Sequence, residues 1–257
     1  MKNFLITGVS SGIGRALTKK LVKEGNMVWG VARREELLKD LKKELNNSSK
    51  FFYSEMDISK NESWEKLLAQ MEKAKFIPRT IIFNAAINKN DLIFGLETNS
   101  TREIFEINLF GALEGIRVLL KSIKPRAEFI AISSSSALKG SKVEGIGYPA
   151  SKAALSIAFE SLHQKFKGKY SFKTIYFGPI NSGMGPFKKN SLFLLSEEQA
   201  INKILQVVKG KKAVYYYPKI LFFLLKTIKL LPSVIYYSIL DLIENFHLKN
   251  QKLESQK

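Results

Sequence analysis

The sequence predicts a single α/β domain, a doubly wound parallel sheet with helices on both faces, followed by a C-terminal helical extension. Two observations carry the prediction: short apolar runs alternate with helix-length amphipathic segments over the first 180 residues, and no repeat or Pro/Gly-rich linker divides them. Strands alternating with helices of ten or more residues require crossover connections, which are right-handed and lay helices over both faces of a parallel sheet. A chain of 257 residues with 45% hydrophobic content is long and apolar enough to bury such a core.

Asn3–Thr7 is a short apolar run of the buried-strand kind, ended by Gly8, and residues 15–24 read as a helix closed by Gly25. The next strand is Met27–Ala32 and the next helix 35–45, followed by a third strand at 51–56 and a helix at 64–73. Residues 80–84 form a strand, 100–123 one long helix, 128–133 a strand, 150–166 a helix and 172–177 a strand. Composition shifts after about residue 213, which places a dinucleotide-binding and catalytic unit at 1–212 and an amphipathic extension and tail at 213–257. Within that extension Pro232 separates two helices of about a dozen residues each, and the polar last eleven residues should fray.

Composition excludes several kinds of chemistry. With no cysteine there is no disulfide framework, thiolate metal site or cysteine nucleophile, and two histidines, His163 and His247, make a polyhistidine metal centre improbable, so no metal is expected. The first seven residues, Met1 to Thr7, run straight into a strand, so no secretory signal is expected and a cytoplasmic location is the default. A formal net charge of +18 attracts polyanions in general, yet lysines such as Lys19, Lys20 and Lys23 fall on solvated helix faces and specify no nucleic acid.

The segment Thr7-Gly8-Val9-Ser10-Ser11-Gly12-Ile13-Gly14 joins the first strand to the first helix. Glycines there permit a tight turn and close backbone approach, and a helix N-terminus offers free N–H groups to a pyrophosphate. The strand-to-helix context is what separates this from an ordinary glycine-rich turn. At the end of the second strand, Ala32-Arg33-Arg34 carries no acid to bind both ribose hydroxyls and two guanidiniums that suit a phosphate, which selects NADP over NAD.

The spacing Gly-x-x-x-Gly-x-Gly resembles that of the short-chain dehydrogenase/reductase family, and the resemblance extends over residues 3–185. It implies a Rossmann-type fold that binds NADP(H) through Gly8, Ser10, Ser11, Gly12, Ile13, Gly14, Arg33 and Arg34. Asp57 resembles the aspartate that bonds the adenine, and Phe83-Asn84-Ala85-Ala86 resembles Asn-Asn-Ala-Gly, departing at Phe83 and Ala86. Tyr148-Pro149-Ala150-Ser151-Lys152 is similar to Tyr-x-x-x-Lys, in which the lysine reaches both the phenol and a bound ribose and favours the phenolate. The serine that holds the substrate oxygen lies in Ser133-Ser134-Ser135-Ser136; counting from the strand gives Ser134, counting back from the tyrosine gives Ser135, and the strand count is preferred.

Asn108 matches the asparagine that completes the family's tetrad, where it kinks the helix and holds a water leading to Lys152; the plain alternative is an asparagine satisfied by a neighbouring loop. Pro179, Ile180 and Ser182 resemble the segment that caps the nicotinamide, with Phe177 where the family has proline, and the apolar stretch 183–200 falls where it places a mobile lid. The implied activity is hydride transfer between NADP(H) and a carbonyl or alcohol on an apolar or lipid-like small molecule, in a homo-oligomer without a specific nucleic-acid partner. A different class of reading is a non-catalytic NADP(H)-binding regulator with a basic partner-binding surface. In the extension, Lys226 and Lys229 share one side, while Leu221, Leu224, Leu225, Ile228 and Leu231 form the other. Such a helix lies on an anionic membrane surface, packs over the substrate site, or forms a subunit interface.

Overall fold

The computed structural model describes residues 1–92, 95–141, 144–181 and 193–254. Its elements are β1 (Asn3–Thr7), α1 (Gly12–Lys23), β2 (Met27–Ala32), α2 (Glu35–Glu44), β3 (Phe51–Glu55), α3 (Asn61–Lys73) and β4 (Thr80–Phe83). There follow α4 (Thr98–Phe105), a π-turn (Glu106–Phe110), α5 (Gly111–Leu119), β5 (Glu128–Ser134), a 3₁₀ turn (Ser135–Leu138), α6 (Gly147–Lys165) and β6 (Ser171–Phe177). The remainder is β7 (Ile180–Asn181), β8 (Leu195–Ser196), α7 (Glu197–Lys209), β9 (Val214–Tyr217), α8 (Lys219–Ile228) and α9 (Ser233–Glu254).

Seven strands form one parallel sheet in the order β3-β2-β1-β4-β5-β6-β9. Side chains alternate along each strand and fill a layer on either face. Leu5 and Val31 enter one layer with Trp64 of α3, Ile116 of α5 and Phe159 of α6. Phe4 and Ile6 enter the other with Leu17 of α1, Leu38 of α2 and Ile204 of α7. Each such side chain, fully removed from water, contributes about 1.5–3 kcal/mol. Strand order reverses between β1 and β4, and it is at the carboxyl ends of strands flanking such a reversal that an open α/β sheet leaves its crevice.

Several elements differ from the expectation. The first helix begins at Gly12 rather than residue 15, so the glycines themselves form its first turn. The helix expected over 100–123 is interrupted: the N–H of Gly111 bonds the carbonyl of Glu106, an i+5 pairing that inserts a π-turn around Asn108. Helix α7 opens with a capping box, Ser196 Oγ accepting from the Gln199 N–H at 3.1 Å and Gln199 Oε1 accepting from the Ser196 N–H at 2.8 Å. Residues Val214–Tyr217, expected to open the extension, pair with β6 and complete the sheet. Pro232 does separate two helices, but of 10 and 22 residues, and the second continues through the polar tail to Glu254. Lys226 and Lys229, expected opposite an apolar stripe, bond instead to the body of the protein, to the Tyr216 hydroxyl at 3.0 Å and the Leu138 carbonyl at 3.3 Å.

Candidate active site

The crevice above β1 and β4 is built by two loops that touch. Gly8 has φ +75°, and a Cβ on it would lie 2.7 Å from Ala85 Cα, while one on Gly14 would lie 2.2 Å from the Gly8 carbonyl oxygen. Only glycine allows that approach. Asn84 Nδ2 donates to the carbonyls of Thr7 and Gly8, both at 3.1 Å, and Thr7 Oγ1 accepts from the N–H groups of Asn84 and Ala85 at 3.1 and 3.0 Å. Thr7 is thus a structural member of the site that motif reading passed over, although it heads the glycine segment.

Helix α1 starts from Ser11 in extended backbone, with no side-chain cap, so its first N–H groups face the crevice without an intrahelical partner. Arg34 Nη2 donates to Ser10 Oγ at 3.0 Å and Ser11 Oγ at 3.3 Å, which sets a guanidinium and two hydroxyls together beside these glycines. Arg33 is exposed next to it. A glycine cradle that admits no side chain, a helix N-terminus and an adjoining guanidinium-hydroxyl cluster fit a dinucleotide carrying an extra phosphate. Farther along the sheet edge, Asp57 Oδ1 accepts from the Ser59 N–H at 2.9 Å and Ser59 Oγ at 2.8 Å, an arrangement that fixes the carboxylate after β3.

Tyr148 and Lys152 lie one turn apart on α6, beside the carboxyl end of β5. Lys152 is 3% exposed, donates to the Ile132 carbonyl at 2.8 Å, and places Nζ 5.8 Å from the centre of the Tyr148 ring. Burial pushes its ammonium down to about 8. Burial, with the charge of Glu144 adding to it, pushes the Tyr148 phenol up to about 12, and a hydrogen bond with Ser134 acts in the opposite direction. The lowering of the phenol expected from the lysine is not seen: desolvation dominates, and the opposing contribution comes from Ser134.

Of the four serines, Ser134 ends β5 and caps the 3₁₀ turn, its Oγ accepting from the Ser136 N–H at 3.1 Å, and it is the one set against the phenol. Ser135 belongs to the turn. Asn108, 2% exposed, is spent on a loop and a helix: Oδ1 accepts from the Ile87 N–H at 2.8 Å, and Nδ2 donates to the Ile87 carbonyl at 2.9 Å and Ser151 Oγ at 3.0 Å. Its side chain is satisfied by that loop, as the plainer expectation had it, at the interruption of the helix that the tetrad reading expected, and it reaches α6 through Ser151. Pro179 accepts from the Leu195 N–H at 2.9 Å and Ile180 is buried, whereas Ser182 and much of the expected lid lie outside the described residues.

One further residue holds the site, and nothing in its sequence surroundings marks it. Asp91 is fully buried; its carboxylate accepts from the N–H groups of Ile146 at 2.6 Å and Gly147 at 2.9 Å, and from Thr101 Oγ1. It thereby caps α6 immediately before Tyr148. Burial works against ionisation there, but these hydrogen bonds outweigh it and keep the carboxyl below the ordinary range.

The short chain dehydrogenase family model matches residues 2–191. Among relatives, the NADPH-dependent pterin aldehyde reductase of Arabidopsis thaliana is 34% identical over 136 residues, 52% of this chain and 56% of that protein. The farnesol dehydrogenase of Aedes aegypti is 30% identical over 170 residues, 63% of this chain and 69% of that one. A solved short chain dehydrogenase from Burkholderia cenocepacia, in complex with NADP, superposes with a TM-score of 0.76 at 19% identity over 93% of this chain and 99% of that chain, a likeness of fold. Since the family match runs from the first strand through the sixth and across both loops of the crevice, the chain belongs to the short chain dehydrogenase family.

Proposed function

We propose that the protein is an NADP(H)-dependent oxidoreductase that interconverts a carbonyl and an alcohol on an apolar small molecule. The observation that carries this is the placement of Tyr148, Ser134 and Lys152 at the end of β5, in the same crevice as the glycine loop. Family membership supports the reaction class, and the Arg34, Ser10 and Ser11 cluster supports the 2′-phosphorylated cofactor. Relatives named as NADPH-dependent or NADP-dependent reductases and dehydrogenases agree with that choice.

Bound NADPH supplies the hydride. Gly8, Gly12, Ile13 and Gly14 would hold its pyrophosphate, Arg34 and the neighbouring Arg33 its 2′-phosphate, Asp57, Asn84 and Ala85 the adenine end and the adjoining ribose, and Pro179, Ile180 and Ser182 the nicotinamide. Tyr148, protonated at neutral pH with its phenol near 12, gives its proton to the substrate oxygen as negative charge develops there. Ser134 donates to the same oxygen and fixes its distance from the phenol. Lys152, still charged at pH 7 with its ammonium near 8, turns its remaining protons toward the phenol and the ribose hydroxyls. Asn108 acts as a positioning residue, holding the Ile87 loop against Ser151 between Tyr148 and Lys152. Ile146, just before Tyr148, and Leu92, next to the Asp91 that caps the same helix, are exposed apolar side chains that suit an apolar substrate body.

A panel of aldehydes and ketones, assayed by loss of NADPH fluorescence, tests the reading. Tyr148→Phe keeps the ring and removes the transferable proton, so turnover on the best substrate should fall by about 10²- to 10⁴-fold while NADPH still binds. Near-wild-type turnover by Tyr148→Phe would remove the tyrosine from its role. NADPH binding with no turnover of any panel member would favour the regulator.

A further inference from the structure

We infer that α8 and the elbow leading into α9 dock on an anionic lipid surface. Ile220, Phe223 and Leu224 on α8 and Leu230, Leu231 and Val234 at the elbow are all exposed, Phe223 to 68%, Leu230 to 86% and Val234 to 77%. Ile220, Phe223 and Leu224, three and four residues apart, share one side of α8, and Leu230, Leu231 and Val234 follow at the elbow that joins it to α9. The inward side of α8 is already occupied: Phe222 is buried against Tyr176 and Tyr216, at ring separations of 6.1 and 5.0 Å, and Leu221 meets Gly178. A helix that buries one apolar side and presents another to the outside leaves a patch that needs an occupant.

Charge selects that occupant. No Asp or Glu occurs between Glu198 and Asp241, Lys219 adjoins the exposed Ile220 at the start of α8, and Lys226 and Lys229 follow on the same helix and its end, held on Tyr216 and Leu138. The first acid of α9, Asp241, lies about two helical turns beyond Val234. A second copy set on the patch would offer these lysines no acid from its own copy of this segment, whereas lipid headgroups meet them with opposite charge. No helix among the described residues is long and apolar enough to cross a membrane, so the helices lie in the interface with the Leu230-Leu231 elbow as the deepest point. Lys226 and Lys229 have aliphatic stems long enough to leave Tyr216 and Leu138 and reach the headgroups. The docked face adjoins the proposed active site, because Lys229 meets Leu138 in the turn after Ser134. The docking itself does not depend on the proposed reaction.

The test is co-sedimentation of the full chain with vesicles of mixed phosphatidylglycerol and phosphatidylcholine, and with phosphatidylcholine alone, at low and high salt. Wild type should bind the anionic vesicles at low salt and be released at high salt. Phe223→Ser combined with Leu230→Ser should weaken binding by about 100-fold or more, since each loses a large inserted side chain. Lys219→Glu should weaken it on anionic vesicles alone. Both positions of the double variant are exposed, and retained NADPH binding, read by nicotinamide fluorescence, confirms that it is folded. Should it fail that check, Leu224→Ser with Val234→Ser serves the same purpose. Wild type remaining in the supernatant, or variants that sediment like wild type, overturns the inference. So does a wild-type dimer, seen by light scattering, that the apolar variants dissociate, because a second copy would then cover the patch.

Discussion

At the scale of single residues, burial sets the chemistry of the site more than pairing does. Moving an ammonium from 10.5 to about 8 costs the folded state about 3 kcal/mol at neutral pH relative to an apolar isostere. The unfolded chain binds the proton more tightly, so this cost is present in full below pH 8 and disappears as pH rises from about 8 to 10.5. In urea unfolding at pH 7 and pH 10, wild type should therefore gain on Lys152→Met by about 2 kcal/mol at the higher pH, and parallel curves would show that the lysine is solvated. Cofactor choice is also a single-residue matter. Arg34, held over the Ser10 and Ser11 hydroxyls, should be worth about 1.5–3 kcal/mol to a 2′-phosphate, so Arg34→Ala weakens NADPH by about 10- to 100-fold and leaves NADH nearly unchanged. Arg33→Ala, at an exposed position without those contacts, should have the smaller effect; fluorescence titration with the two cofactors reads both, and equal losses for NADPH and NADH would place the phosphate elsewhere.

At the scale of elements, Asp91 ties a loop to the start of α6 and so fixes where Tyr148 begins its helix. In Asp91→Asn the amide presents donors where Ile146 and Gly147 also donate, and leaving one of these N–H groups unpaired in a buried site costs about 1–3 kcal/mol. The variant should melt lower and lose kcat more than NADPH affinity, while unchanged kcat would mean that the cap does not position the tyrosine. Because the hydrogen bonds keep the folded carboxyl below its ordinary 3.8, the stability Asp91 contributes is present above that value and is lost as pH falls through the lower folded one. None of this could be read from the sequence, where Asp91 is a lone acid in a loop. The first six strands were legible to within a residue or two because five of their runs are largely buried and the edge strand β3 is set off by polar residues before its own apolar run. β9 was not, since Tyr215 to Tyr217 are only half-buried at a sheet edge and abut an apolar helix. The π-turn leaves hydrophobic spacing nearly intact and is fixed by side-chain bonds from Asn108 that spacing does not encode. The place of Ser134 as the last residue of β5 was legible because strand direction carries to the end of the strand.

At the scale of the whole molecule, the question is how far the cofactor-binding sheet stands without the C-terminal helices. Among the described residues, neither of the two core layers includes a residue of α8 or α9, whose own buried residues, Phe222, Leu240 and Glu244, pack outside them, Glu244 against Lys139 at 3.2 Å. Compositional change alone would put the division at residue 212, but a cut there removes β9 and turns β6, otherwise central, into an unpaired edge. A chain ending at Pro218 keeps all seven strands. It should remain cooperatively folded, melting about 10–20 °C lower, chiefly for the loss of the buried apolar side chains Phe222 and Leu240, worth about 1.5–3 kcal/mol each, with the buried Glu244–Lys139 pair lost as well. Its NADPH affinity should stay within about threefold of wild type, because the contacts of Gly8, Gly14 and Arg34 among the described residues fall on Ala85, Asn84, Ser10 and Ser11, outside the removed segment. Turnover should suffer more, by about tenfold or more in kcat/KM, since Lys229 no longer meets Leu138 after Ser134 and Leu221 no longer packs on Gly178. A chain ending at 212 should instead aggregate on expression. If the Pro218 truncation loses NADPH binding along with turnover, α8 and α9 are part of the cofactor site rather than a cover placed over its substrate side.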